Sequence, residues 1–181
     1  MKKIIALISL LFIFTACSLS DIDNTPTKKV EALFNNYQTL DKLVLDDLDL
    51  IIAKQNNYTS EQKDKYRDIL KKHYQDLTYE IKDETINGDK AEVIVEIEVT
   101  DFYKTIENSK KYLKENRDEF LDSNNNYDES KYIDYELKKL KDTKETVKYT
   151  LNLTLTKKDK EWVLDDLSDE DEEKILGTYA Y

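Results

Sequence analysis

The chain predicts an α+β domain: N-terminal helices packed on an antiparallel sheet of about four strands, with a helical insertion between two hairpins and a short C-terminal helix. Three observations carry that reading. Apolar residues recur at helical spacing from Val30 to Leu77. The period then falls to two from Tyr79 to Val99, and again from Val147 to Leu155. Between those stretches, residues 102–142 are charged and helical in pattern. Helices segregated onto one face of an antiparallel sheet make an α+β domain.

Each element has a local reason. Thr25-Pro26 supplies a capping hydroxyl followed by proline at the first helical position. Val30, Leu33, Phe34 and Tyr37 then form one stripe. A second helix is predicted from about Leu40 to Lys54, with Leu40, Leu43, Val44, Leu48, Ile51 and Ile52 facing inward and Asp46, Asp47 and Asp49 outward. Ser60 is the predicted cap of a third helix over 61–77, carrying Tyr66, Ile69, Leu70, His73, Tyr74 and Leu77. Asn87-Gly88 marks a tight hairpin turn. After it Val93, Val95, Ile97 and Val99 alternate with polar neighbours, Ile94 excepted, as in a strand buried on one face. The insertion breaks at Ser123–Asn126. A strand over 147–156 follows, then a turn at 157–160 and a return strand with Trp162 and Leu164. Ser168 and Asp171 open a closing helix that ends near Gly177.

The amino end carries a different signal. Met1-Lys2-Lys3 is basic, Ile4–Phe14 is apolar apart from Ser9, and small residues lead to Cys17, the only cysteine. That is the layout of a secretory signal, too short to span a bilayer, which needs about 20 apolar residues. Phe14-Thr15-Ala16-Cys17 resembles the lipobox of bacterial lipoproteins, with Phe14 in place of the usual leucine. The resemblance implies cleavage by signal peptidase II before a cysteine bearing diacylglycerol. Residues 1–16 then form the signal peptide, 17–24 a polar tether and 25–181 the folded domain. Extended from Cys17 to Thr25, the tether reaches at most about 25–30 Å, which holds the domain near the membrane. Two acyl chains anchor stably where one is marginal.

Composition excludes several functions. With 39 acidic against 28 basic residues the net charge is −11, which repels nucleic acid and anionic headgroups. The single cysteine forms no internal disulfide. His73 is the only histidine, so zinc lacks a ligand set. No serine stands in a nucleophile elbow, and His73 reads as a partly buried structural residue. Two glycines leave no phosphate-cradling or dinucleotide loop. Asp122, Asn124, Asn126 and Asp128 mimic the first ligands of a calcium loop. Tyr127 replaces its glycine and Ile133 its bidentate glutamate, so the segment reads as a solvated loop. The acidic run Asp169–Glu173 fits the first turn of a helix. No cofactor and no metal are expected.

Three stretches carry a second resemblance: TPTKKVEALFNNYQTLD, YEIKDETINGDKAEVIVEIEVTDF and LTKKDKEWVLDDL. Together they resemble the nuclear-transport-factor-2-like (cystatin-like) domain, and more narrowly bacterial lipoproteins of unknown function that carry it. The likeness spans about residues 25–167 and implies a curved sheet around a cone-shaped cavity. It also implies that Asp101, after a one-sided strand, is the candidate acid–base carboxylate of an isomerase or dehydratase. Its competing role is to cap the helix beginning at Phe102. The tyrosines suit a pocket, a core rim or a partner face. The reading is therefore a non-catalytic, lipid-anchored, extracytoplasmic binding module of the cell envelope. Its partner is an envelope protein or small molecule, and the envelope isomerase or dehydratase is the alternative.

Overall fold

The computed structural model describes residues 24–181. The expected signal peptide, Cys17 and the expected tether through residue 23 lie outside the described residues. Helix α1 (Pro26–Thr39) starts where Thr25 Oγ1 accepts the Lys28 N–H, with proline in the first turn. Val30 and Phe34 are buried on the sheet, and Phe34 stacks on Tyr79 at 4.9 Å. The helix ends because Leu40 turns left-handed, φ +54, and donates its N–H back to α1 carbonyls.

That cap corrects the predicted start of the next helix. Helix α2 spans Lys42–Ala53, and Asp41, not Leu40, leads into it as N-cap. Val44, Leu48 and Ile52 form the buried stripe. Leu43, predicted to face inward, is 68% exposed. So many apolar residues crowd α2 that two stripes fit the pattern, and only contact with the next helix selects between them. Helix α3 (Ser60–Asp76) carries a second correction. Thr59 rather than Ser60 is the cap, in a capping box with Gln62. A Thr-x-x-Gln frame satisfies two orphan N–H groups at once, which a lone serine does not.

Strands β1 (Thr78–Asn87), β2 (Lys90–Thr100), β3 (Thr146–Lys158) and β4 (Glu161–Leu164) form one antiparallel sheet in sequence order. Gly88 takes φ +63 in the first turn. Asp159 and Lys160, both at positive φ, make the last one. A register shift between Ile81 and Asp83 leaves the rest of β1 exposed. The pairing of β2 with β3 runs unbroken from Lys90↔Thr156 to Thr100↔Thr146. The insertion is thus spliced into the end of a long hairpin. Val93, Val95, Ile97, Val99, Tyr149, Leu151, Leu153 and Leu155 line its buried face.

The insertion comprises α4 (Phe102–Glu115), a 3-10 turn (Arg117–Phe120) and α5 (Glu129–Asp142). Phe120 is buried beneath Tyr112, Tyr132 and Tyr135. Ile133, Leu137 and Leu140 bury the inner side of α5. Gln62 ties α3 to α5 through the Ser130 carbonyl and hydroxyl, both at 3.0 Å. Helix α6 (Asp169–Leu176) is capped by Ser168 and stopped by Gly177 at φ +72. A Cβ at Gly177 would collide with the Thr100 carbonyl oxygen, so the close approach itself requires glycine. At the opposite end of the sheet Asn24 clasps the last hairpin. Its amide donates to the Lys160 carbonyl at 2.8 Å and accepts the Trp162 N–H at 3.0 Å.

Candidate functional site

A groove of about 850 Å³ lies between α3 and α5, floored by the end of the sheet where β1 and β3 begin and β2 stops. Ile69, Val99, Phe102, Leu137 and Leu140 form its apolar floor, packed by the same periodicity that places them in the core. Thr78, Thr100, Thr143 and Thr146 add hydroxyls at the strand ends. On the α3 wall Lys72 pairs with Asp76, and Lys65 bridges Glu61 and, across the groove, Asp134 of α5, while Asp68 makes no ion pair or hydrogen bond among the described residues. Glu61, then Asp134, raises the Lys65 ammonium above its ordinary pKa. Glu98 accepts the Thr146 hydroxyl at 2.6 Å. On the other wall Lys138, Lys141 and Lys144 make no ion pair or hydrogen bond among the described residues. Lys141 in the last turn of α5 suits the helix dipole, but that does not require all three to line one groove.

His73 also lines the groove, and it is fully buried at 2% exposure, not partly buried as predicted. Its Nε2–H donates to the Ile175 carbonyl at 2.8 Å, and its ring stacks on Phe102 at 4.6 Å. A carbonyl only accepts, so Nδ1 is the unprotonated nitrogen, and it has no partner. Burial holds the imidazole pKa down at about 4. It stays neutral and structural at neutral pH.

Asp101 is 3% exposed and does not line the groove. Its Oδ1 accepts the Lys104 N–H at 2.9 Å, as a cap for α4, and its Oδ2 accepts the Tyr181 hydroxyl at 2.6 Å. A different carboxylate, Glu136 on α5, is half-buried. Burial raises its pKa, against the opposing Tyr132 hydroxyl at 2.7 Å and Lys110. Sequence reasoning missed it, since an acid on a charged helix looks solvated. Glu136 lines neither the groove nor the shallower hollow beside Ser109.

Asp122 folds its own loop, accepting N–H groups of Asn124 at 2.7 Å and Asn126 at 2.9 Å, and these bonds lower its pKa. Asp128 caps α5. Among the described residues no group of three or more His, Cys, Asp or Glu side chains is placed to hold a metal ion. Nor is any described helix long and apolar enough to cross a membrane. No tyrosine lines the groove. Tyr37 packs on Tyr74, Tyr58 on Tyr66, and Tyr149 on Tyr179.

Fold and site together define an α+β domain with a large cleft between a scaffold helix and an inserted helix. In comparisons with protein family models, curated proteins and solved structures, nothing matches this chain.

Proposed function

We propose that the protein is a lipid-anchored, extracytoplasmic binding module of the bacterial envelope, held by diacylglycerol on Cys17, with the α3–α5 groove as its ligand site. The observation that carries the binding role is a groove of about 850 Å³, within the range of small-molecule sites, walled by three lysines that make no ion pair or hydrogen bond among the described residues. The basic, apolar and small-residue run ending at Cys17 supports the anchor. The order of helices, hairpin, insertion, hairpin and helix supports kinship with nuclear-transport-factor-2-like lipoproteins. The alternative of an isomerase or dehydratase rests on Asp101, which does not line the groove and has both oxygens bonded elsewhere.

Metabolic labelling with radioactive palmitate tests the anchor. Label should reach the protein, and Cys17→Ser should abolish it and release the protein from the membrane fraction. Unlabelled protein, or unchanged fractionation of the variant, would refute the anchor. Native mass spectrometry of membrane-extracted protein tests the site. A bound mass should be present and lost on Thr78→Trp, which fills the groove from an exposed strand position.

A further inference from the structure

We infer that the groove takes a soluble amphipathic anion, a single hydrocarbon chain ending in one carboxylate, captured from the aqueous side rather than from the bilayer. This rests on the reading of the groove as the ligand site. Three observations converge.

The first is charge. In a chain of net charge −11, Lys138, Lys141 and Lys144 stand together on one wall with no carboxylate partner among the described residues. The acids that share the groove are engaged, Asp134 and Asp76 by lysines and Glu98 by Thr146. Asp68, opposite on α3, is the exception, with no partner among the described residues. One acidic head satisfies the lysine wall, whereas a ligand with charges along its length meets Asp68 and the repulsive field of the whole chain.

The second is the lining. Beneath the charged rim the groove is mainly carbon, most of it from the lysine stems, whose methylenes lie over the nearly buried Phe102, Leu137 and Leu140 while the ammonium stays in water. An apolar tail removes that surface from solvent at about 25 cal/mol per Å².

The third is placement. The groove sits where β3 begins, at Thr146, while Asn24 fastens the amino end beside the turn where β3 finishes, at Lys158. A strand of that length separates the two by roughly 40 Å. With Cys17 acylated, the anchor joins the domain at the Asn24 end, away from the groove. The groove therefore meets what is dissolved outside.

The test uses the full-length chain carrying Cys17→Ser, which cannot be acylated. It is titrated with dodecanoate, dodecanol and inorganic phosphate below their aggregation limits and followed by amide NMR. Dodecanoate should shift amides of α3, α5 and the adjoining strand ends and bind at least tenfold more tightly than the other two. The triple variant K138Q/K141Q/K144Q should weaken it at least tenfold without changing the thermal melt, and T78W should block it. Equal binding of dodecanol or of phosphate would overturn the inference, as would shifts mapping elsewhere or no binding. If dodecanoate is silent while the mass adduct of the extracted protein still disappears in T78W, the groove stands as the site and only this ligand class falls.

Discussion

His73 shows how one side chain ties sequence-distant parts together. It joins α3 to the last turn of α6 and to Phe102 at the start of the insertion, at the cost of a buried Nδ1 with no donor facing it. Protonating that nitrogen would place a charge where nothing receives it. The folded pKa of about 4 lies below the ordinary 6.5, so the unfolded chain takes up the proton first. The group's contribution is therefore complete above pH 6.5 and lost as pH falls towards 4, a change of about 3 kcal/mol. Melting curves across that window should show the loss, and His73→Phe should flatten its slope while lowering stability at neutral pH through the abandoned Ile175 carbonyl. An unchanged slope would exclude His73 as its source. Asp101 makes the converse point. The sequence offered two roles for it, and only the tertiary fold, by bringing in Tyr181, shows that both oxygens are occupied.

At the scale of elements, periodicity and caps were readable wherever they agreed. Strands β2 and β3 alternate cleanly, and Thr25, Ser168 and Gly177 bound their helices as read. The misreadings fall where local signals competed: Ser60 stands beside the true cap Thr59, and Leu43 beside the buried Val44 on α2. The capping box at α3 holds the cap and Gln62, which also reaches Ser130 on α5. Thr59→Ala should thus lower stability by about 1 kcal/mol, measured by denaturant titration, whereas Ser60→Ala should be near neutral. A larger effect at Ser60 would contradict the assigned frame. The groove was illegible for a related reason. Lys138, Lys141 and Lys144 are visible as a run at threefold spacing, but nothing local shows that α3 lies opposite them.

For the molecule as a whole, stability should be graded. The long β2–β3 ladder is covered by α1, α3 and α6, while α2 packs against α3 and leaves Leu43 and Leu50 to solvent. Amide exchange should be slowest in β2 and β3 and fastest, among the helices, in α2. Equal protection of α2 and the central strands would show that the molecule opens as one unit. The insertion has its own small aromatic core around Phe120, yet α5 is stitched to α3, so α5 and the groove should retain protection together.

The single tryptophan gives the protein a built-in lamp, and its location decides what that lamp illuminates. Trp162 is buried beside the Lys157 ammonium, its backbone N–H held by the Asn24 amide. Ultraviolet emission therefore reports on whether Asn24 remains clasped to the last hairpin. Events at the far mouth of the groove stay dark to it, and an optical assay for the proposed ligand needs a dye placed there instead.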